Sequence, residues 1–340
     1  MSHIPDEKLF TFSNRVKGKV VIITGAANGI GKETALRFAS YGAKIVIGDL
    51  DIAGANKVVE EIERTGGSAV ALKCNVTDFD QQVEMFELAM KKYGSVDIVV
   101  PNAGVSEVGV FQKLQFKNGR PVKPNMLTVE VNLFGPLYTA HLALHYLQIN
   151  KKEGDLKSLI FIGSMASWAG IPGGEMYSGS KHAILGVMRA LHPIMELKGI
   201  RVGTIHPFFA DTAIVPTPVK LLLAGIPLTP VSRVAGAIFY AATDVDEDSN
   251  GSAWLLLDDG PVFQVPKEQF KEGVYKMIDE RANKGRAALK GAQAWIRFFR
   301  DIWRITGKTV ITTSIAAGLA KVVYDNRATI EHALRTAIAN

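Results

Sequence analysis

The sequence predicts an α/β fold in which a doubly wound parallel sheet is followed by a C-terminal helical extension. Short apolar runs rich in Val and Ile are typical of strands buried on both faces, and they occur at 19–23, 44–48, 69–74 and 96–101. Helical patterns separate these runs, near 32–39, 53–65 and 80–93. Strands that alternate with helices of this length form parallel sheets with right-handed crossovers. Later strands are expected at 159–163 and 253–257.

Composition and cysteine content exclude several kinds of protein. The chain of 340 residues is long enough to bury a large core, and its single cysteine, Cys74, excludes an intrachain disulfide and a thiol-based zinc site. His141 and His145 have a metal-binding spacing, but no Glu completes a His-Glu-x-x-His pattern, so we predict no metal. The first residues lack the apolar core of a signal peptide, and no uninterrupted apolar run of about 18 residues occurs. We therefore expect a cytoplasmic protein.

A glycine-rich turn follows the first strand and precedes a helix. Its glycines, Gly25, Gly29 and Gly31, allow the backbone to turn tightly and approach a pyrophosphate, while the helix N-terminus offers unpaired amides to phosphate oxygens. The next strand ends at Asp49, about 20 residues further on, where a carboxylate accepts hydrogen bonds from ribose hydroxyls. This order is typical of a Rossmann-like dinucleotide-binding domain. Asp49 favours NAD, although Lys32 or Arg37 leaves NADP open.

A second group of candidate residues lies around a Gly- and Pro-rich turn. Ser164 follows a buried strand, and Tyr177 and Lys181 are four residues apart at the start of a predicted helix. An ammonium group one helical turn from a phenol favours the phenolate, and so lowers a pKa that is ordinarily about 10. A Tyr-x-x-x-Lys pair alone also occurs on many solvated helices. Together with the glycine turn, the pair predicts general-base chemistry.

Four motifs in this order resemble the short-chain dehydrogenase/reductase family, in its classical branch. They are Thr24-Gly-x-x-x-Gly-Ile-Gly31, Asn102-Ala-Gly104, Ser164 and Tyr177-x-x-x-Lys181. The resemblance covers about residues 17–262 and implies a catalytic tetrad of Asn132, Ser164, Tyr177 and Lys181. The cofactor-binding positions that are expected on this basis are Gly25, Asn28, Gly29, Ile30, Gly31, Asp49, Asn75, Val76, Asn102, Ala103, Gly104, Tyr177, Lys181, Pro207 and Thr212.

The resemblance also implies a mechanism, hydride transfer between a carbinol carbon and a nicotinamide ring. In the oxidative direction the Tyr177 phenolate takes the hydroxyl proton, and Ser164 holds the same oxygen by a hydrogen bond. Lys181 lowers the phenol pKa and grips the nicotinamide ribose, and Asn132 holds a water against Lys181. Within the family, residues 177–186, 199–202 and 210–214 most resemble NAD-linked hydroxyprostaglandin dehydrogenase-like members.

Several positions depart from the family pattern. Asn75 replaces the usual Asp and leaves an adenine contact available through its side-chain amide, and Pro101 replaces the first Asn of the commoner Asn-Asn-Ala-Gly. Phe208 replaces a Gly, so an aromatic ring is expected to narrow the nicotinamide site. Residues 107–125 form a polar insertion of a length that predicts a lid or an interaction surface.

The positive charge of the chain is concentrated in its C-terminal extension. Residues 265–340 contain 14 Lys and Arg against 7 Asp and Glu, whereas the rest of the chain contains 25 against 26. Apolar residues recur there at helical spacing among arginines: Trp295, Phe298, Phe299, Ile302 and Trp303. Such helices pack against the catalytic domain or a second subunit; the alternative is a peripheral helix on an anionic membrane or lipid droplet. No recognition motif for nucleic acid occurs, and no nucleic-acid partner is predicted.

We therefore expect an N-terminal arm (1–16), a dinucleotide-binding catalytic domain (17–264) and a basic amphipathic helical extension (265–340). The predicted function is NAD-dependent oxidation of a hydrophobic secondary alcohol, or reduction of its ketone, by a homodimer or homotetramer. An apolar segment between prolines, residues 214–228, favours a greasy substrate. Two alternatives are an NADPH-dependent ketone reductase and a non-catalytic, cofactor-binding scaffold that its tail attaches to a membrane.

Overall fold

The computed structural model describes residues 2–210, 212, 214–215 and 217–267. Further along it describes residues 277–278, 280–281, 284–285, 287–289, 291–292, 294–301, 303–304, 307, 321 and 326–327. The chain divides into two compact units, Met1–Phe270 and Lys271–Asn340. Ile302, which the sequence places in the amphipathic tail, lies outside the described residues.

In the first unit, the described residues form eleven strands and eight α-helices. The strands are β1 (Ser2–Ile4), β2 (Val20–Thr24), β3 (Lys44–Asp49), β4 (Ser68–Lys73), β5 (Ile98–Val100), β6 (Phe116–Lys117), β7 (Arg120–Pro121), β8 (Ser158–Ile162), β9 (Arg201–Pro207), β10 (Ala253–Leu256) and β11 (Val262–Val265). The helices are α1 (Gly29–Ser40), α2 (Ile52–Arg64), α3 (Phe79–Tyr93), α4 (Leu127–Val129), α5 (Gly135–Tyr146), α6 (Glu175–Leu197), α7 (Thr217–Leu222) and α8 (Val231–Thr243). A π-helical turn, Glu130–Phe134, joins α4 to α5.

Nine of these strands form one sheet, in the order β1-β11-β10-β9-β8-β5-β2-β3-β4. From β10 to β4 in this order, each strand pairs with its neighbour in parallel. This topology confirms the predicted Rossmann-like α/β fold. The chain proceeds from β2 outward to β4 and then returns to β5 on the other side of β2. The carboxyl ends of β2 and β5 therefore meet at a topological switch point, where sheets of this kind bind ligands.

Alternate residues of each central strand face two separate apolar cores. In β2, Val21 and Ile23 pack in the core beneath α1, α2 and α8, whereas Val20 and Ile22 pack in the core beneath α3, α5 and α6. None of the four side chains is exposed to solvent. Because both faces of the sheet are covered, the strand is apolar at each position from Val20 to Ile23 instead of alternating with polar residues.

Two antiparallel strands extend the sheet beyond β10, and the sequence analysis does not predict them. β11 pairs with β10, and β1 pairs with β11. Both strands are short, and the Ser-His-Ile sequence of β1 carries no apolar pattern that would indicate a strand. Arg233 of α8 also holds the N-terminal arm, because its Nε and Nη2 atoms bind the two carboxylate oxygens of Asp6 at 2.8 and 2.7 Å.

The predicted insertion, residues 107–125, contains the small β6–β7 hairpin. Asn118 and Gly119 both have left-handed backbone conformations, with φ values of 53° and 72°, as a two-residue type I′ turn requires. Residues 109–121 are exposed throughout, including the large apolar side chains of Val110, Phe111, Leu114 and Phe116. The insertion thus has a local fold of its own, and its role as a lid or an interaction surface stays a prediction.

In the second unit, residues 294–301 are helical. The rings of Trp295 and Phe299 stack with their centroids 5.7 Å apart, and the side chains of Trp295, Phe298 and Phe299 are more than half exposed. Across all the residues described here, no helix is both long enough and apolar enough to cross a membrane.

Candidate active site

The carboxyl ends of β2 and β5 carry the glycine-rich turn and the Asn102-Ala103-Gly104 motif. The Thr24 hydroxyl accepts hydrogen bonds from the backbone N–H groups of Asn102 (3.0 Å) and Ala103 (3.1 Å). Asn102 Nδ2 donates in return to the carbonyls of Thr24 (3.0 Å) and Gly25 (2.8 Å). Asn102 is one of the predicted cofactor-binding residues, and in the structure its side chain joins the two turns that form the candidate cofactor cleft.

Glycine is required in this turn by backbone conformation and by space. Gly25 and Gly29 have φ values of 67° and 56°. A Cβ atom at Gly25 would lie 2.6 Å from the Cα of Ala103, and one at Gly31 would lie 2.2 Å from the Gly25 carbonyl oxygen. Asn28 occupies the N-cap position of α1, but its side chain makes no capping hydrogen bond. The N–H groups of the first turn, which includes Ile30, are therefore open to an anionic ligand.

Asp49 lies at the end of β3, beside the glycine turn. Its Oδ2 accepts a hydrogen bond from the N–H of Ala27 (2.8 Å), and its Oδ1 accepts one from the N–H of Asp51 (2.9 Å). These contacts fix the orientation of the carboxylate, and each oxygen keeps a lone pair that a ribose hydroxyl could use. The structure thus places Asp49 where the sequence analysis expects it.

The remaining predicted cofactor positions also follow strands of the parallel sheet or end them: Asn75, Val76, Pro207 and Thr212. The Oδ1 atom of Asn75 accepts hydrogen bonds from the N–H (3.1 Å) and hydroxyl (2.9 Å) of Thr77, which leaves its amide nitrogen as a donor for a ligand. Thr212 lies against the glycine turn, since a Cβ at Gly29 would be 3.4 Å from Thr212 Cγ2.

Ser164 follows β8 and its hydroxyl is oriented by the local backbone. Ser164 Oγ accepts a hydrogen bond from the N–H of Ala166 (3.1 Å), and Ser167 Oγ accepts one from the N–H of Ser164 (3.2 Å), which together form a capping box. The Ser164 proton is therefore directed away from its own backbone. It meets the phenol oxygen of Tyr177, to which Ser164 is hydrogen-bonded.

Tyr177 and Lys181 lie one turn apart on α6, as the spacing predicts. Lys181 is buried, its Nζ donates a hydrogen bond to the carbonyl of Ile162 (3.0 Å), and it lies 5.7 Å from the centroid of the Tyr177 ring. Burial lowers the pKa of Lys181 to about 8, because the ammonium is poorly solvated there. The ammonium therefore titrates much closer to neutrality than an exposed lysine does.

The expected lowering of the phenol pKa is not what this environment produces. Burial raises the pKa of Tyr177 above its ordinary value, because a phenolate is poorly solvated there, and the Ser164 hydrogen bond opposes this shift only in part. The expectation of a lowered pKa rests on the charge of Lys181 alone. The structure adds the cost of burying the phenolate, which has the larger effect.

Asn132 lies in the π-helical turn and has no exposed surface. Its Oδ1 accepts a hydrogen bond from the N–H of Val105 (2.8 Å), and its Nδ2 donates to the Val105 carbonyl (2.8 Å). The side chain is therefore occupied by the backbone. Pro136, four residues further on, has no N–H to donate to the Asn132 carbonyl, and the predicted water held by Asn132 stays a prediction.

Gly104 lies between two of the predicted catalytic residues. A Cβ atom at this position would be 3.2 Å from Asn132 Oδ1 and 4.0 Å from Lys181 Nζ. Asn132 and Lys181 therefore border the same narrow space at the end of β5. The structure brings all four members of the predicted tetrad to the carboxyl edge of the sheet.

The segment that departs from the family pattern, His206 to Phe208, contacts the backbone of Ser164 through His206. His206 Nδ1 donates a hydrogen bond to the Ser164 carbonyl (3.0 Å), and burial lowers the pKa of His206 to about 3, so its ring is neutral. The N–H of Phe208 donates to the Leu256 carbonyl (2.7 Å), and its ring packs edge-on against Phe209 at 5.0 Å. A narrowing of the nicotinamide site by Phe208 stays a prediction.

Glu107 is a candidate functional residue that the sequence analysis does not identify. Its Oε2 accepts a hydrogen bond from the backbone N–H of Tyr177 at 2.7 Å, across 70 positions of sequence. No motif indicates such a contact, because Glu107 lies in an insertion and its partner is a backbone group. Its place three residues after Gly104 is the one feature of the sequence that puts it near the site.

The residues at this edge of the sheet fit a nicotinamide dinucleotide. The glycine-rich turn and the open amides of α1 suit a pyrophosphate, and the Asp49 carboxylate suits a ribose diol. Lys181 and Tyr177 border the far end of the same cleft, beyond Gly104. A dinucleotide cleft that ends at Ser164 and Tyr177 has the parts that a hydride-transfer site needs.

Comparisons with known proteins agree with this arrangement. Residues 19–219 match the short chain dehydrogenase family. A 3-oxoacyl-[acyl-carrier-protein] reductase of Thermotoga maritima is 31% identical over 237 residues, which cover 68% of this chain and 92% of the relative. A cyclohexanol dehydrogenase of an Acinetobacter species is 29% identical over 264 residues, which cover 77% of this chain and 97% of the relative.

Solved structures of similar proteins share the fold. A short-chain type dehydrogenase/reductase from Mycobacterium marinum has a TM-score of 0.63 at 26% identity, covering 73% of this chain and 97% of its own. A 3-ketoacyl-(acyl-carrier-protein) reductase from Brucella melitensis, complexed with NADH, has a TM-score of 0.63 at 28% identity, covering 72% and 98%. The family match spans the glycine turn, Ser164, Tyr177 and Lys181, and the chain belongs to the short-chain dehydrogenase/reductase family of oxidoreductases.

Proposed function

We propose that this protein is an NAD-dependent dehydrogenase that oxidises a hydrophobic secondary alcohol, with Tyr177 as the general base. The observation that carries the proposal is the placement of the buried Lys181, 5.7 Å from the centroid of the Tyr177 ring, at the end of a glycine cleft that fits a dinucleotide, with Ser164 acting on the same phenol. A base, an oxyanion donor and a cofactor cleft in one place are the parts that carbinol oxidation requires.

In the proposed reaction, the residues of this chain hold and move one proton. Ser164 Oγ–H donates a hydrogen bond to the carbinol oxygen, and the Tyr177 phenolate oxygen accepts the carbinol proton. Lys181 keeps donors beyond its bond to Ile162 for the ribose, and the Asn132 carbonyl holds the water that passes the proton onward. When bound, the nicotinamide supplies the hydride acceptor.

The preference for NAD is supported by the charges around Asp49. A 2′-phosphate would be repelled by this carboxylate. Lys32 and Arg37, which the sequence analysis considers as phosphate partners, pair instead with Glu61 (2.9 Å) and Glu33 (3.0 Å). If Asp49 selects NAD, Asp49→Ala is expected to raise the Kd for NAD about tenfold and to narrow the difference from NADP, as measured by quenching of protein fluorescence.

A hydrophobic substrate is supported by apolar residues on the turns that follow the catalytic strands. Ile171 lies on the turn between Ser164 and α6, and Ile214, Leu221 and Ile226 follow β9; all four are exposed. The cyclohexanol dehydrogenase relative acts, by its name, on a hydrophobic secondary alcohol. The likeness to hydroxyprostaglandin dehydrogenase-like members stays a prediction, and so does assembly into a homodimer or homotetramer.

The experiment that tests this function is a screen of secondary alcohols, from cyclohexanol to 2-decanol, with NAD and with NADP. Formation of reduced cofactor is followed by absorbance. We expect turnover with NAD that rises with the apolar length of the alcohol. A Tyr177→Phe variant is the matched control, because it keeps the ring and loses the proton-transferring oxygen, and its turnover should fall by at least about 10²-fold. Equal turnover in this variant would remove the catalytic assignment.

A second candidate is an NADPH-dependent ketone reductase, favoured by the two reductase relatives. Fluorescence quenching by each cofactor separates the two, because tighter binding of NADP than of NAD would contradict the role of Asp49. A third is a non-catalytic scaffold attached to a membrane, favoured by the exposed rings of Trp295, Phe299 and Trp303. The full chain with Trp295→Ser, Phe299→Ser and Trp303→Ser should no longer sediment with anionic vesicles if the tail binds these vesicles.

A further inference from the structure

Helix α6, which carries Tyr177 and Lys181, begins without a side-chain cap of its own. Its N-cap residue is Gly174, and no side chain at that position bonds to the first turn. The first N–H groups of a helix have no partner within the helix, so they need an acceptor from outside. Glu107 supplies it: Oε2 accepts from the N–H of Tyr177 at 2.7 Å, and Oε1 accepts from the N–H of Met176 at 3.4 Å.

This contact is favourable for two reasons. A carboxylate that accepts backbone N–H groups forms charge-assisted hydrogen bonds, which are stronger than neutral ones. The positive end of the helix macrodipole also attracts a negative charge. Glu107 therefore holds the first turn of α6 at the residue whose phenol forms the hydrogen bond with Ser164.

The backbone on both sides of Glu107 is held by buried side chains. Val105 exchanges two hydrogen bonds of 2.8 Å with the side chain of Asn132, and the N–H of Val108 donates to Thr128 Oγ1 at 2.9 Å. Neither Asn132 nor Thr128 has exposed surface. The carboxylate is thus fixed relative to the cleft wall that contains Gly104, and it connects that wall to the catalytic helix.

We propose that Glu107 is a positioning residue that sets the place of Tyr177 relative to Ser164 and to the substrate oxygen. It acts through the backbone of α6, and the proposal rests on the proposed role of Tyr177 as the general base. Displacement of a reacting group by about 1 Å reduces the rate by about 10²-fold. The acceptor oxygen and the length of the side chain are what the role requires.

The test separates reach from charge. Glu107→Gln keeps the length of the side chain and an acceptor oxygen but removes the charge. Glu107→Asp keeps the charge but shortens the side chain by one methylene. We expect kcat for the best alcohol of the screen to stay within about threefold of the parent in Glu107→Gln. It should fall by about 10- to 100-fold in Glu107→Asp and Glu107→Ala, with the fluorescence Kd for NAD unchanged.

Gln112→Ala is the matched control. Gln112 donates a hydrogen bond to Glu175 and so joins the same insertion to the same helix end, but no contact to Tyr177 runs through it. Its kcat should equal that of the parent. Hydrogen exchange of the amides at 175–179 gives a readout that is independent of turnover, and it should accelerate in Glu107→Ala and Glu107→Asp but not in Glu107→Gln.

Two results would overturn the proposal. One is a parent-level kcat with unchanged exchange in Glu107→Asp, which would show that the contact does not position Tyr177. The other is an equal loss in Glu107→Gln and Glu107→Ala, which would assign the effect to the charge. If Tyr177→Phe keeps full turnover, the result contradicts the proposed function of the protein. Accelerated hydrogen exchange in Glu107→Asp together with a parent-level kcat would show that Glu107 holds the end of α6 without affecting catalysis, which also contradicts the positioning role.

Discussion

At the scale of single residues, the phenol of Tyr177 is subject to two opposing influences. Burial raises its pKa, and the hydrogen bond from Ser164 lowers it again in part. Oxidation requires the phenolate, so a base with a raised pKa is incompletely ionised at neutral pH. The rate of alcohol oxidation is therefore expected to increase as the pH rises through the alkaline range.

Replacement of Ser164 tests this balance. In Ser164→Ala the stabilising hydrogen bond to the phenolate is lost, so the pKa of Tyr177 should rise further and the alkaline limb of the kcat/KM profile should move to higher pH. Loss of the donor to the carbinol oxygen should also reduce kcat by about 10²–10³-fold. The measurement is kcat/KM for oxidation from pH 6 to about 10.5. An alkaline limb at the parent position would contradict the assignment.

Burial of the Lys181 ammonium destabilises the folded protein. Its buried ammonium has a pKa of about 8, well below that of a lysine in the unfolded chain. The unfolded chain thus binds more protons between pH 8 and about 10.5, so the folded state gains stability as pH rises through this window. Below pH 8 the cost of burying the charge is fully present.

A Lys181→Met variant should therefore be inactive yet more stable than the parent at pH 7. The expected gain in the free energy of unfolding is about 1–3 kcal/mol, reduced by the lost bond to the Ile162 carbonyl. The gain should shrink between pH 8 and 10.5, as the parent lysine loses its charge in the folded state. Urea unfolding at pH 7 and pH 10 measures both values, and a gain that grows with pH would have the wrong sign.

At the scale of elements, the π-helical turn holds the wall of the cleft. It places Asn132 so that its amide exchanges two hydrogen bonds with the backbone of Val105, directly after Gly104. An ordinary helical Asn would bond to its own helix or to solvent. This turn therefore has a structural function that is separate from the proposed proton relay.

Asn132→Ala should destabilise the protein by about 1–3 kcal/mol, because it removes the partners of the partly buried N–H and carbonyl of Val105. The measurement is the midpoint of urea unfolding. Asn125→Ala is the control: Asn125 also accepts one backbone hydrogen bond, from Leu127, but it is exposed, and its loss should cost no more than about 1 kcal/mol. Equal costs for the two variants would contradict the role given to the turn.

The predictability of each element follows the range of the interactions that form it. The parallel strands, the glycine turn and the Tyr177–Lys181 pair depend on residues a few positions apart, so the periodicity of the sequence indicates them. β1 depends on pairing with β11, at the opposite end of the catalytic unit, and Glu107 depends on a backbone group 70 positions away. Local patterns contain no information about such contacts.

The raised pKa of Tyr177 also depends on contacts between distant parts of the chain. The charge of Lys181 is visible one helical turn away in the sequence, whereas the burial of the phenol depends on how the segments around it pack. The sign of a pKa shift at a buried site is thus set by the folded environment, and the nearest charge in the sequence is an incomplete guide.

At the scale of the whole molecule, the two ends of the parallel sheet have different tasks. The carboxyl ends of the strands carry the candidate site, and the amino ends of β5 and β8 carry a buried ion pair. Lys157 Nζ lies 2.9 Å from Asp97 Oδ1 and donates to the Val96 carbonyl at 2.7 Å, and both charged side chains are almost fully buried. Asp97 Oδ2 also accepts from the N–H of Val20 at 2.8 Å, so the pair joins β2, β5 and β8.

Lys157→Met should destabilise the fold by about 3–5 kcal/mol, because it leaves the Asp97 carboxylate buried without its closest cation. The kcat of the folded variant at 25 °C should equal that of the parent, since the pair lies at the opposite end of β8 from Ser164. Adding Asp97→Asn should recover a large part of the loss, because the uncompensated charge is then removed. The exposed Lys152→Met variant is the control and should change stability by no more than about 0.5 kcal/mol. A drop in kcat that accompanies the loss of stability would show that the two ends of the sheet are coupled.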